Sequence, residues 1–293
     1  MKRCFKIITL AVLCTTLLGC SSKTEYTQIS ATTLPVYSFT EYLCRGTGIH
    51  VTRLIDQDVS CLHDYTLQVS QMKAIEASDI IVISGAGLEG FMDETMLSAN
   101  NIIDASEGVP LQCAQKGHDH ENDHDHAHDH DPHIWLSPDN ASLMAENIYR
   151  GLLAQYPEYE AIFQTNYAAL TSDINDLKEY GHAQLSSLSS RKLITFHDGF
   201  SYMAEAFDLE IVHTVEEESG SEASANELIV LTSIVTQHDI SAIFTEKNGS
   251  TSAATVISAE TGVAVYQLDM AMSGDSYFNA MYHNIDTLRE ALQ

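Results

Sequence analysis

Three histidines and one aspartate occupy positions from which their side chains could bind one metal ion. The four residues are His63, His133, His197 and Asp269. Imidazole nitrogens with one carboxylate oxygen form a donor set suited to Zn²⁺, whereas a set of oxygens alone would favour Mg²⁺, Ca²⁺ or Mn²⁺. Each residue could instead have a purely structural role, because a histidine can hydrogen-bond a loop and an aspartate can cap a helix. Whether the four side chains converge depends on the elements that carry them.

Short apolar runs alternate with helix-like stretches in both halves of the chain. Predicted strands cover residues 29–33, 51–55, 80–83, 192–196, 210–213, 240–244 and 263–268. Predicted helices cover residues 35–45, 67–78, 88–98, 200–207, 224–238, 251–261 and 276–292. Strands separated by helices of about three turns predict parallel sheets covered by helices. We therefore expect an α/β fold with two lobes.

The candidate ligands lie where such a fold presents ligands, beyond the carboxyl ends of parallel strands. His63 follows a predicted strand and His133 directly precedes a helix, and both belong to the first lobe. His197 and Asp269 directly follow predicted strands of the second lobe. We expect a metal site in the cleft between the lobes. Two nearby acids are candidates to orient an imidazole or to cap a helix, namely Asp198 and Glu246.

A long helical region separates the lobes. Ser137 before Pro138 predicts a helix start, and Pro157 starts a further helix whose apolar residues recur every three or four positions. The further helix would cover residues 158–188, about 45 Å, and such a rigid connection predicts limited hinge motion. The predicted segments are a first lobe at 27–156, a linking helix at 157–189 and a second lobe at 190–293.

One polar segment, the His-rich loop of residues 117–133, has a composition from which no core can be built. It holds half of the chain's 14 histidines. Besides His133 they are His118, His120, His124, His126, His128 and His130. Aspartates and glutamates alternate with them, which predicts a solvated loop. We interpret the loop as an auxiliary metal trap rather than a charged spacer, because imidazole is the commonest side-chain ligand for zinc, copper and nickel.

The first 19 residues have the pattern of an export signal. A basic start precedes an apolar run at residues 7–18, which is too short to span a bilayer. The run ends in Leu17-Leu18-Gly19-Cys20, which resembles the lipobox of bacterial lipoproteins. That resemblance implies cleavage before Cys20, a lipid on its sulfur and a polar tether at residues 20–26. We expect an extracytoplasmic protein anchored to the cell membrane, or a periplasmic one if an outer membrane is present; an ordinary secretory signal is the alternative.

Composition excludes several classes of protein. With 293 residues and 44% apolar residues, the chain can form buried cores, so a disordered chain is excluded. Its 14 basic against 41 acidic residues give a net charge of -27, which repels phosphate backbones, so we expect no nucleic-acid partner.

Beyond Cys20, the cysteines of the exported chain are Cys44, Cys61 and Cys113. That odd number permits one disulfide with a free thiol, or three free thiols.

Five motifs in order along the chain are recognisable as a set. They are His63-Asp64-Tyr65, Ser84-Gly85-Ala86-Gly87-Leu88-Glu89, His133-Ile134-Trp135-Leu136-Ser137-Pro138, Phe196-His197-Asp198-Gly199 and Leu268-Asp269-Met270. The set resembles the zinc-specific solute-binding proteins of metal ABC importers and covers essentially the exported chain. The ordered series is far more specific than any single motif in it.

The resemblance implies a monomeric lipoprotein that binds one Zn²⁺ between two α/β lobes joined by a rigid helix. Such proteins deliver the ion to a membrane permease that is driven by a cytoplasmic ATPase. The family's ligand positions fall on His63, His133 and His197, with Asp269 in the fourth position. Manganese-carrying relatives tend to have glutamate where His197 stands, so the resemblance favours zinc over Mn²⁺. The family usually has proline after the aspartate, where this chain has Met270.

Two other classes of function use the same residues. A catalytic zinc could be held by three histidines and a carboxylate, but no H-E-x-x-H helix is predicted, since the tandem histidines form a low-complexity run. We therefore do not expect an enzyme. A surface metal buffer or adhesin lipoprotein that works without a transporter is the closer alternative.

Overall fold

Two four-stranded parallel sheets form the framework of the chain. The computed structural model describes residues 28–59, 62, 65–92, 101–113, 130–215 and 224–293. The first sheet has the order β2-β1-β3-β4 and contains β1 (Gln28–Ala31), β2 (His50–Arg53), β3 (Ile80–Ile83) and β4 (Asn101–Asp104). The second has the order β6-β5-β7-β8 and contains β5 (Lys192–Thr195), β6 (Glu210–Thr214), β7 (Ala242–Glu246) and β8 (Ala264–Leu268). The predicted α/β fold with two lobes is confirmed.

Helices cover both sheets and connect them. They are α1 (Leu34–Cys44), α2 (Val69–Glu76), α3 (Pro138–Gln155), α4 (Glu160–Gln184), α5 (Ser201–Ala206), α6 (Ala225–Gln237), α7 (Ser252–Thr261) and α8 (Tyr277–Leu292). Single 3₁₀ turns at Ile134–Leu136 and Pro157–Tyr159 precede α3 and α4. Two predictions differ from these elements. Strand β4 was missed because only two of its four residues are apolar, and residues 88–92, predicted as the start of a helix, form turns.

The helices of the linking region start where the sequence predicts. Ser137 caps α3, since its hydroxyl accepts a hydrogen bond from Asn140 N, and Pro138 occupies the first helical position, where no N–H is needed. Helix α4 contains 25 residues, about 37 Å. It ends at Gln184, whereas the prediction extended it to residue 188. The lobes are thus joined by one long helix.

One large core cluster runs through both lobes, and a separate smaller cluster lies within the second lobe. Buried residues of the two sheets, such as Ile29 and Leu268, belong to the same packed cluster as the linking helices. Helix α8 returns to the first lobe, where the Tyr277 ring meets the Phe39 ring edge to face at 5.0 Å. The Arg53 guanidinium donates to the Gly274 carbonyl oxygen at 2.6 Å. These contacts join the lobes beyond the linking helix, and they favour limited hinge motion.

Glu89 organises the edge of the first sheet at the carboxyl ends of β1 and β3. Its buried carboxylate accepts hydrogen bonds from the Thr32 hydroxyl at 2.7 Å, Ser84 N at 2.7 Å and Gly85 N at 3.0 Å. Burial raises the pKa of Glu89 to about 7, although these three bonds act in the opposite direction. The motif that ends in Glu89 therefore ties together the two strands from which the first lobe presents its loops.

The described part of the chain contains two cysteines, Cys44 and Cys113, and both are free thiols, the first buried and the second exposed. Cys20 and Cys61 lie outside the described residues. Among the described helices, none is long and apolar enough to cross a membrane.

Candidate metal centre

The carboxyl edge of the second sheet brings together residues from three neighbouring strands. His197 lies two residues after β5, Glu246 is the last residue of β7, and Asp269 directly follows β8. Because β5, β7 and β8 are adjacent and parallel, their carboxyl ends meet at one edge. This edge therefore presents one imidazole and two carboxylates that are far apart in the sequence.

His133 is a buried imidazole held by an aspartate two residues before it. The residue is 2% exposed, and its Nδ1 lies 2.8 Å from Asp131 Oδ1. The same oxygen accepts a hydrogen bond from the backbone N of His133 at 2.9 Å. A carboxylate on Nδ1 fixes the tautomer and the ring orientation, and it leaves Nε2 as the nitrogen that can bind a metal.

His197 has the same arrangement with a different carboxylate. Its Nδ1 lies 3.2 Å from Glu246 Oε1, and both side chains are largely buried. The rings of His133 and His197 meet edge to face, with their centroids 5.2 Å apart. Two imidazoles, each with a carboxylate on Nδ1, thus lie side by side, which is the arrangement that metal-binding histidines usually have.

Three hydrogen bonds fasten the segment that carries His133 to the second lobe. The Trp135 indole N–H donates to the Met270 carbonyl oxygen at 2.8 Å, and the Tyr277 hydroxyl donates to the Trp135 carbonyl oxygen at 2.8 Å. The Tyr202 hydroxyl donates to the Asp131 carbonyl oxygen at 2.9 Å. All these groups are buried, so the position of His133 relative to His197 is fixed by packing as well as by chain connection.

Gly199 lets the two imidazoles approach. A Cβ at this position would lie 2.9 Å from His133 Nδ1, 2.8 Å from His197 Cδ2 and 2.6 Å from Met270 Cε. Real Cβ atoms do not make such short contacts, so any larger residue would displace at least one ring. The glycine is therefore required by the close packing between the histidines and the loop after β8.

Asp269 is held firmly and is paired with a lysine. The residue is 5% exposed, and its Oδ2 lies 2.9 Å from Lys247 Nζ. Its Oδ1 accepts a hydrogen bond from Ala271 N at 2.8 Å. The Asn284 side-chain amide bonds both the N–H and the carbonyl of Asp269, each at 2.7 Å. The hydrogen bond to Asp269 raises the pKa of Lys247 above its usual value, so the ammonium group is charged at neutral pH.

Comparison with known proteins identifies the family. The model of the zinc-uptake complex component A family, a family of periplasmic proteins named ZnuA, matches residues 29–291. The chain belongs to this family. The family description names a component of an uptake complex rather than an enzyme.

Individual relatives resemble the chain over most of its length. A protein of Treponema pallidum that is named for metal binding is 27% identical over 99% of this chain and 97% of its own length. The zinc-binding lipoprotein AdcA of Streptococcus pneumoniae is 28% identical over 96% of this chain, but the chain spans only 60% of that relative's length. A crystal structure of ZnuA superposes with a TM-score of 0.78 at 27% identity, covering 91% of this chain and 99% of that chain.

The structure describes only part of the residue set that the sequence singled out. His133 and His197 come together, and Asp269 lies at the same sheet edge as His197. His63, Cys20 and the loop histidines 118–128 lie outside the described residues. His130 is exposed and pairs with Cys113 in an isolated antiparallel bridge. Within the described ranges, no group of three His, Cys, Asp or Glu side chains is arranged to hold a metal.

Sequence analysis missed three residues of this centre, namely Asp131, Gly199 and Lys247. Asp131 was hidden in the acidic run of the His-rich loop, although its position two residues before His133 is a usable signal. Gly199 stood inside a recognised motif without a role. Lys247 had no sequence signal, because its partner Asp269 lies just after the neighbouring strand of the sheet.

Proposed function

We propose that this chain is the extracytoplasmic component of an ABC-type importer that captures Zn²⁺ and passes it to a membrane permease driven by a cytoplasmic ATPase. The observation that carries the proposal is the buried pair His133 and His197, each with a carboxylate on Nδ1. Membership of the zinc-uptake family supports it. The name of the pneumococcal relative, a zinc-binding lipoprotein, agrees with it.

The proposed ligands are Nε2 of His133 and of His197, together with His63 from the first lobe. Asp269 is proposed for the fourth position, which water would fill where the aspartate stays with its lysine. Imidazoles dominate this donor set, and imidazole suits zinc better than it suits Mn²⁺. The buried carboxylates Asp131 and Glu246 hold the rings in place, so that little reorganisation is needed when the ion binds.

The His-rich loop would raise the metal concentration near this site. We propose that His118, His120, His124, His126, His128 and His130 bind metal weakly and release it to the buried site. Transfer is downhill when the buried site offers a more complete and better oriented shell. Because imidazoles must be neutral to bind zinc, capture by both sets weakens in acid.

Attachment to the membrane is part of the proposal. A lipid on Cys20 would keep the monomeric protein near its permease outside the cytoplasm. The tether of residues 20–26 would then join the anchor to the first strand of the fold, which begins at Gln28.

Zinc uptake by whole cells tests the delivery step. A strain that lacks the chain is grown under zinc chelation, and uptake of radiolabelled zinc is measured after complementation with the wild type, His133→Ala or His283→Ala. His283 is exposed on α8 and serves as the matched control. We expect the wild type and His283→Ala to restore uptake and His133→Ala to fail. Equal uptake by the strain with and without the wild-type chain would contradict an importer and favour a surface metal buffer.

A further inference from the structure

Lys247 pairs with the one carboxylate among the proposed ligands. Its Nζ lies 2.9 Å from Asp269 Oδ2, and the aspartate side chain is 6% exposed while the lysine side chain is 52% exposed. We propose that Lys247 determines metal specificity by competing with the bound ion for Asp269, which penalises cations that need a carboxylate oxygen more than it penalises zinc. This inference rests on the proposed function, since it concerns which metal the same site selects.

A metal at Asp269 would compete with the lysine for the same carboxylate. Its Oδ1 is engaged by Ala271 N at 2.8 Å, and its backbone is held on both sides by the amide of Asn284. These partners are buried and belong to the framework. Oδ2 is the oxygen whose partner is a long, half-exposed side chain that can move away. An ion at Oδ2 therefore competes with an ammonium group that already neutralises the carboxylate.

The position of Lys247 is set by the strand that also orients His197. Lys247 directly follows Glu246, the last residue of β7, whose carboxylate lies on His197 Nδ1. The backbone N of Lys247 donates to the Leu268 carbonyl oxygen at 2.9 Å, so the lysine starts beside the strand end from which Asp269 projects. Two consecutive residues thus act on two neighbouring candidate ligands, one by orienting an imidazole and the other by occupying a carboxylate.

The competition affects metals unequally. Zinc forms tetrahedral sites readily from three imidazoles and a water, so it tolerates the loss of Asp269. Mn²⁺ prefers carboxylate and carbonyl oxygens, so the same loss removes the ligand that it needs most. Lys247 would therefore widen the gap between zinc and manganese without touching either ion.

Titration of Lys247→Gln with Zn²⁺ and Mn²⁺ tests the inference. Because the lysine is half exposed and solvent screens the pair, an increase of about tenfold in Mn²⁺ affinity relative to Zn²⁺ is expected. Lys247→Arg, which keeps the charge, should retain the wild-type ratio. In the Asp269→Asn background, where there is no carboxylate to release, Lys247→Gln should leave the ratio unchanged.

Two outcomes overturn the inference. One is an unchanged ratio in Lys247→Gln, which includes an equal gain for both metals, and the other is the same gain in the Asp269→Asn background. Lys247→Met serves as a second uncharged variant, and the unfolding midpoint of each metal-free variant shows that it is folded. If the wild type binds zinc tightly but Lys247→Gln leaves the Mn²⁺/Zn²⁺ affinity ratio unchanged, only the role of Lys247 is contradicted. A wild type without a tight zinc site contradicts the proposed function as well.

Discussion

The imidazoles of His133 and His197 meet edge to face with ring centroids 5.2 Å apart, although one precedes α3 and the other follows β5. Each ring has its own buried carboxylate on Nδ1, Asp131 for the first and Glu246 for the second. The pair therefore has fixed tautomers and a fixed separation before any ion binds. Such preorganisation is what a metal site built on these two histidines would require.

Removing either carboxylate should weaken zinc binding without removing a ligand. We expect Glu246→Gln and Asp131→Asn each to lower zinc affinity by about 10- to 100-fold, because the imidazole loses the carboxylate that orients it. Competition with a zinc chelator measures the change, and Glu260→Gln is the matched control, since Glu260 is exposed on α7. Wild-type affinity in both variants would show that the carboxylates do not act on bound metal.

Gly199→Ala should separate the two rings. The added methyl group would lie within 3.0 Å of atoms of His133, His197 and Met270, so at least one of them must move. Overpacking of this kind costs about 1–3 kcal/mol of folding free energy. We expect that loss in denaturant unfolding, together with a decrease in zinc affinity of at least about tenfold. A variant that is destabilised but binds zinc normally would contradict the close packing proposed for the site.

The sequence located the candidate ligands through rules that act along the chain. His197 and Asp269 each follow an apolar run, and the carboxyl ends of adjacent parallel strands meet at one edge. His133 precedes a proline-marked helix start that the structure confirms. These predictions needed only periodicity and helix-capping signals, which is why the strand ends were identified within about two residues.

Contacts between strands could not be predicted in the same way. The Lys247–Asp269 pair depends on β7 and β8 being neighbours, and the Trp135–Met270 hydrogen bond depends on how the lobes pack. No local pattern encodes either contact. The missed strand β4 has a related cause, because a four-residue edge strand with two apolar residues carries little periodicity.

Protonation of Glu89 should make stability depend on pH. Burial raises its pKa from 4.5 to about 7 in the folded chain, so between these values the folded state binds more protons than the unfolded state. Its contribution to stability therefore falls as the pH rises through this window. We expect the free energy of unfolding of the metal-free wild type, minus that of Glu89→Gln, to fall by up to about 3 kcal/mol from pH 4.5 to 7. A flat or rising difference over that range would show that Glu89 stays ionised in the fold.

Deleting residues 118–130 should separate the auxiliary histidines from the buried site. The buried pair is fastened by Trp135, Tyr202 and Tyr277, which all lie outside the deleted segment. We expect the deletion variant to keep one tight zinc site and to bind fewer ions in total by calorimetry. Loss of all tight binding, in a variant whose unfolding transition is intact, would mean that the loop itself forms the main site.

Calorimetric titration of residues 21–293 with Zn²⁺ and Mn²⁺, repeated on His197→Ala, tests the central claim most directly. The account predicts one tight zinc site in the wild type, much weaker binding of manganese, and loss of the tight site in His197→Ala. His238→Ala, an exposed histidine at the end of α6, should bind zinc as the wild type does. Tight zinc binding that survives His197→Ala, or a preference for manganese in the wild type, would contradict a site built on the His133 and His197 pair.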